Sequence, residues 1–209
     1  MTNGIKVKKR NGRGTESLQL EKMHKMVEEA CNGLAGVSAS QVEINSGIQF
    51  YDGITTEEIQ EILIKSASDL IDLEHPNYQF VAARLLLFSL RKQLFGRMHE
   101  NPSVKEHVAN CVEKGVYDPE LLDLYSDEEY NKLQSFIDHD RDYIFTYAGL
   151  RQVVDKYLVQ DRSNGAVYES PQFMYLLISA TIFSKYPQAT RLDYVKRYYD
   201  AISKHRINI

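Results

Sequence analysis

The chain has 209 residues, enough for one large or two small domains with a buried core. Hydrophobic residues make up 43% and charged residues 26%, as in ordinary soluble globular proteins. The formal net charge of −4 excludes a chain built as a whole to coat nucleic acid or an anionic membrane. No apolar run approaches a membrane span, and the N-terminus lacks the apolar core of a signal peptide. Cys31 and Cys111 lie far apart, form no metal-ligand pair and read as buried thiols in a reducing cytoplasm.

Residues 5–19 begin with Ile5 and Val7 alternating with Lys6 and Lys8, the period of a half-buried strand. Asn11-Gly12 supplies turn residues that tolerate positive φ, and residues 15–19 return as a second extended piece. The expected product is a small hairpin with Lys9 and Arg10 at one end and Glu16 on the return. Two cations beside a tight turn suit a polyphosphate, Arg as a planar fork and Lys as a point charge. On composition alone, a solvated basic N-terminus is the plainer reading.

Residues 20–34 predict a helix, with Met23, Met26, Val27, Ala30, Cys31 and Leu34 on one stripe and Gly33 near its end. Ser38 opens a second helix with Gln41 in a capping box, continued by Val42, Ile44 and Ile48 to Phe50. Thr55 or Thr56 caps a third, with Glu57 and Glu58 in its positive first turn and a stripe of Ile59, Ile62, Leu63, Ala67, Leu70 and Ile71. A fourth, over residues 78–95, is apolar nearly all round, which marks it as central to a bundle; Arg91 and Lys92 close it.

The second block follows Asn101-Pro102. Residues 103–114 form a short helix with Val104, Val108 and Val112 on one face. Ser126 and Glu129 make a capping box for another, with Leu133, Phe136 and Ile137 inward. Residues 157–160 and 166–168 read as strands around Ser163-Asn164-Gly165. Ser170-Pro171 starts a helix and Pro187 stops it; a last helix carries Leu192, Val195, Tyr198, Tyr199 and Ile202. Leu176, Leu177, Phe183, Val195 and Tyr199 form an apolar set too large for two helices to cover, so part of it should be buried against a segment beyond this chain. The fold class is mainly α with two small hairpins.

Asp138, Asp140 and Asp142 match the first three ligand positions of a calcium loop. Tyr143 stands where that loop needs Gly and Gly149 where it needs Glu, so a salt-bridged helix end is the better reading. His24, His75, His99, His107 and His205 show no metal-binding pairing, and no catalytic constellation or metal site stands out. What does stand out is Lys9, Arg10, Glu16 and Lys22 at the start, Thr56 at a helix N-terminus, and Lys92 at the end of the central helix. A hairpin folded over the bundle end would gather them above an apolar floor of Ile59 and Phe88. Such a pocket fits a nucleoside triphosphate without a phosphate loop.

The stretches VKKRNG (7–12), Glu16, Lys22, DGITT (52–56) and YQFVAAR (78–84) closely resemble the ATP-cone, the N-terminal regulatory domain of ribonucleotide reductase large subunits. FIDHDRD (136–142), KYLVQ (156–160), YES (168–170) and RLDYVKR (191–197) resemble the helical domain that follows it in the aerobic class I enzyme. The resemblance implies an ATP-cone over residues 1–97, a β-hairpin cap on four helices, and a helical domain with one short hairpin over 98–209. It implies that ATP activates and dATP inhibits through this cone. Lys9 and Arg10 would contact phosphates, and Glu16 and Gln19 the base and sugar side. Lys22, Thr56 and Lys92 would complete the phosphate and sugar contacts, with Ile59, Gln60 and Phe88 walling the base. Two departures bear on this: the hairpin holds one residue more than the family's tighter turn, at Asn11-Gly12-Arg13-Gly14, and Gln19 stands where Asn is expected.

The family's catalytic barrel carries the reducible cysteines, the thiyl-radical cysteine and the specificity site, and Cys31 and Cys111 correspond to none of them. The expectation is therefore the N-terminal piece of a split large subunit, or a truncated one. It provides the allosteric ATP/dATP site of a cytoplasmic ribonucleoside-diphosphate reductase and has no catalytic residue of its own. Its partners would be the C-terminal part of the large subunit and a radical-bearing small subunit, with no nucleic acid and no membrane. The alternative is a free-standing ATP-cone regulator without a catalytic partner.

Overall fold

The structure, a computed structural model, describes residues 5–9, 14–47 and 49–207; Arg10, the expected Asn11-Gly12 turn and Ile48 lie outside them. The described residues fall into two compact units. The first takes in those up to Leu90 together with Tyr143–Arg151; the second takes in Arg91–Asp142 and those from Gln152 onward.

In the first unit β1 (Lys6–Lys8) pairs antiparallel with β2 (Thr15–Ser17). Val7 is buried while Lys6 and Lys8 are exposed, as the alternation requires. Then come α1 (Leu20–Cys31), α2 (Ala39–Gly47), α3 (Thr56–Asp69) and α4 (Tyr78–Phe95). Helix α1 buries Met23, Met26, Val27 and Ala30, spaced three and four apart down a single face. It ends at Cys31, which is half-buried rather than buried. In α4, Val81, Ala82, Leu85, Leu87 and Phe88 are all at most 2% exposed, as expected of a central helix. Tyr143 meets Phe88 edge-on, ring centroids 6.4 Å apart, and Arg84 lies over the Tyr143 ring at 5.4 Å.

Three expectations in this unit need correcting. Gln41 does not close a capping box on Ser38. The buried Tyr78 hydroxyl takes both partners, accepting from Ser38 N–H at 3.0 Å and donating to Gln41 Oε1 at 2.6 Å. A long-range tyrosine thus replaces a local cap. Ile44 does not join the core: it is 67% exposed, because α2 buries Val42 and Ser46 instead. Ile71, 40% exposed, lies past the end of α3.

The second unit contains α5 (Val104–Glu113), α6 (Glu120–Asp123), α7 (Asp127–Phe136), β3 (Gln160–Asp161), β4 (Ala166–Val167), α9 (Pro171–Phe183) and α10 (Gln188–Ser203). A 3-10 turn (His139–Ile144) and α8 (Tyr147–Lys156) run through the division between the units. The hairpin is shorter than expected and sits later: Gln160 faces Val167, and Tyr157 lies past the end of α8. Helix α9 begins with Pro171 at its first turn and buries residues on every side, and α10 packs along it. Leu176, Leu177, Val195 and Tyr199 are therefore buried within the chain, so of the apolar set expected to be partly covered from outside only Phe183 is left partly exposed.

The capping box of Ser126 and Glu129 is present, and the Glu129 carboxylate also accepts two hydrogen bonds from Arg191. The acidic run at 138–142 is a salt-bridged end. Arg91 donates to Asp142 Oδ2 at 3.2 Å and to the His139 carbonyl at 2.7 Å, and Gln172 donates to Asp142 Oδ1 at 2.8 Å. Arg141 pairs with Asp138 and Asp200.

Candidate functional site

Strand alternation decides which hairpin side chains share a face: Ile5, Val7 and Lys9 lie on one side, Lys6 and Lys8 on the other. Val7 stands opposite Glu16, so Lys9 and Glu16 are diagonal neighbours across the ladder. Lys9 Nζ lies 2.7 Å from Glu16 Oε2. The hydrogen bond from the Lys9 ammonium, helped by the charges of Lys9 and Lys22, holds the Glu16 carboxyl below the usual carboxylate range. Lys9 N–H donates to the Gly14 carbonyl at 2.9 Å, carrying the pairing one residue past β1.

The other edge of β1 is tied to the start of α3. Lys8 N–H donates to the Ile54 carbonyl at 2.9 Å, Gly53 N–H to the Lys6 carbonyl at 2.8 Å, and Lys6 N–H to Asp52 Oδ1 at 2.7 Å. Gly53 has φ of 86°, a left-handed conformation that glycine adopts without strain. The hairpin therefore leads straight to the first turn of α3 through a parallel bridge between Lys8 and Thr55.

Thr55 is the N-cap of α3, and Thr56 is its first helical residue. Thr55 Oγ1 accepts from Glu58 N–H at 3.1 Å, and Glu58 Oε2 accepts from Thr55 N–H at 2.7 Å. Tyr51 donates to the other Glu58 oxygen at 2.8 Å. These bonds, Thr55 N–H first, hold the Glu58 carboxyl below its ordinary range. The Thr56 hydroxyl donates to Glu57 at 3.2 Å. An anion arriving at this helix start thus meets two carboxylates already using its positive end.

One turn along α3, Ile59 and Gln60 are buried, and Phe88 of α4 is fully buried. Ser89 donates to Gln60 Oε1 at 3.1 Å, and Gln60 Nε2 faces the Met26 sulfur at 3.9 Å. Gln19, the N-cap of α1, and Lys22 in its first turn are exposed. The structure brings together Lys9, Glu16 and Lys22 on one side, and Ile59, Gln60 and Ser89 on another. Arg10 lies outside the described residues. Lys92 lies on α4 one turn beyond Phe88, partly buried, and belongs to the second unit.

Three residues were not among the expected site residues. Lys8 and Glu58 hold the hairpin and the α3 start. The Glu58 signal was present, since Thr55 and Glu58 have capping-box spacing. Ser89 carried none beyond being a polar residue in an apolar helix.

Residues 5–93 match the ATP cone domain, and residues 143–209 match the ribonucleotide reductase all-alpha domain. Over its whole length the chain is similar to the N-terminal region of ribonucleoside-diphosphate reductase alpha subunits. It is 51% identical over all 209 residues to ribonucleoside-diphosphate reductase 1 subunit alpha of Salmonella typhimurium, and 50% to that of Escherichia coli. It is 42% identical over 197 residues to the alpha subunit of Enterobacteria phage T4. The chain spans 27% of the length of the two bacterial relatives and 26% of the phage protein. The match over the all-alpha domain does not favour a free-standing cone regulator.

Both cysteines are free, and burial pushes each thiol up to about 11. They are thiols, not thiolates, at neutral pH. Among the described residues no group of three His, Cys, Asp or Glu is arranged to hold a metal, and no helix is long and apolar enough to cross a membrane.

Proposed function

We propose that this chain supplies the allosteric nucleotide site of a class I ribonucleoside-diphosphate reductase, with ATP activating and dATP inhibiting. Residues 1–97 act as the regulatory cone and 98–209 as the helical domain beside the catalytic machinery. Lys9, Arg10, Lys22, Thr56 and Lys92 take the phosphates and sugar, and Glu16 and Gln19 the base and sugar side. Ile59, Gln60 and Phe88 wall the base. Replacement of the ribose 2′-OH by hydrogen is carried out by cysteines on another polypeptide, the C-terminal part of a split large subunit. The radical comes from a small subunit, and the complex works in the cytoplasm.

The observation that carries this reading is the tether between hairpin and helix. Hydrogen bonds from Lys6, Lys8 and Gly53 hold the Lys9 strand end against the segment leading to Thr56. This fixes the Lys9 strand end beside the segment leading to Thr56, an arrangement that supports a polyphosphate site without a glycine-rich loop. Calorimetric titration with ATP and dATP is the test. Both nucleotides should bind with one site per chain, and absence of binding for both at millimolar concentration refutes the assignment. A second test is catalytic: the chain alone should form no deoxynucleotide.

A further inference from the structure

Lys9 is not waiting with a bare charge. Its ammonium is already held by the Glu16 carboxylate at 2.7 Å, on the hairpin face that carries Val7. Lys22, at the start of α1, adds its field to the same carboxylate. Glu16 thus collects in the ligand-free chain the positive charge that an incoming phosphate would use. The hairpin ladder fixes this arrangement: Val7 faces Glu16, and Lys9 N–H bonds to Gly14, so the two side chains are diagonal neighbours whatever the solvent does. The pair is partly exposed, with 42% of the Lys9 side chain and 33% of the Glu16 side chain accessible, so an anion can reach it from solution.

We infer that Glu16 is a built-in competitor for the phosphate site, so that polyphosphate binds Lys9 by exchange with the Glu16 carboxylate. This rests on the nucleotide-site reading above and adds a regulatory role that the base-side assignment of Glu16 does not contain. In the exchange no bond is made or broken covalently. One charge-assisted hydrogen bond to Lys9 is lost and another is gained, and the freed carboxylate turns to water. The carboxylate lowers the affinity for any anion at this position in two ways. It must be displaced, and once displaced it still repels the ligand. Its removal should therefore tighten binding of a bare polyphosphate, which has no base to miss a contact with Glu16.

Inorganic tripolyphosphate isolates this effect. In calorimetric titration of the whole chain, Glu16→Gln should bind tripolyphosphate about fivefold more tightly than wild type, the scale of one exposed ion pair. The gain should shrink when Lys9→Ala is the background, because only the repulsion between Glu16 and the ligand then remains. Glu61→Gln, an exposed carboxylate on α3, serves as the charge control and should change little. The inference is overturned if Glu16→Gln leaves tripolyphosphate affinity unchanged or weakens it while ATP still binds the wild type. It is equally overturned if the gain is undiminished without Lys9, or if Glu61→Gln matches it. If wild type binds neither ATP nor tripolyphosphate, the nucleotide-site reading falls and the competitor falls with it.

Discussion

Replacing Lys9 with Ala tests the site most directly. Hydrogen bonds to charged groups contribute roughly 1.5–3 kcal/mol. At about 1.4 kcal/mol per decade this alone is about tenfold to a hundredfold in affinity. In the free chain, however, Lys9 is engaged by Glu16 at 2.7 Å, so part of its bonding is surrendered before the nucleotide gains it. The expected loss for ATP and dATP is therefore at the low end, about tenfold. Lys92→Ala removes a cation of the same proposed phosphate set and should weaken binding by about tenfold to a hundredfold. The control is Lys6→Ala. Lys6 lies three positions back, roughly 10 Å along the strand, and on the opposite side from Lys9. Its backbone is tied to Asp52 and Gly53, and substitution leaves those bonds in place. Titration calorimetry with parallel melting curves measures all three variants. If Lys6→Ala weakens binding as much as Lys9→Ala, the attraction is a diffuse basic patch and the solvated N-terminus is the correct reading.

Tyr78→Phe should lower unfolding free energy by about 1 kcal/mol in urea titration, since it removes the hydrogen bonds to the half-buried Ser38 N–H and the exposed Gln41 side chain. No measurable loss would show that water replaces the hydroxyl. Glu129→Ala should cost about 3 kcal/mol or more, because it removes a helix cap and leaves Arg191 against Tyr125 without its carboxylate. A change under about 1 kcal/mol would place the pair with ordinary surface bridges. His107 is buried against Phe173, ring centroids 3.9 Å apart, and burial lowers it to about 4. From about 6.5 in the unfolded chain, protons bind the unfolded state first, so its contribution is intact above pH 6.5 and lost as pH falls towards 4. The loss should reach up to about 3 kcal/mol, and His107→Phe should flatten the slope of stability against pH. A slope unchanged in that variant would move the acid sensitivity elsewhere, with His139 next in line.

Long uninterrupted apolar patterns were legible in the sequence. Helix α4 appears with the expected bounds because eighteen residues without a Gly or Pro interruption leave no alternative to a central helix. The Ser126 cap and Pro171 start were legible because their chemistry is local. Helix α8 and the 3-10 turn were not, since one buried Leu150 in ten residues makes a faint stripe and HDRDYI has none. The pairings that organise the second unit join residues 51 and 62 apart, Arg91 with Asp142 and Arg191 with Glu129, and no local pattern encodes them. The same holds for the site. Lys9 and Glu16 were both picked out, but their mutual bond depends on strand register, which the extra hairpin residue had left open.

The contribution of Tyr143–Arg151 to the first unit has a consequence for synthesis. Chains emerge N-terminus first and compact domains close as they emerge. Here the ring that meets Phe88 and the face that receives Arg84 belong to Tyr143, dozens of residues after α4 has left the ribosome. The hairpin and its helices must therefore wait with Phe88 incompletely covered until that later segment arrives. A polypeptide halted at residue 97 would hold every hairpin cation yet lack one side of its own floor.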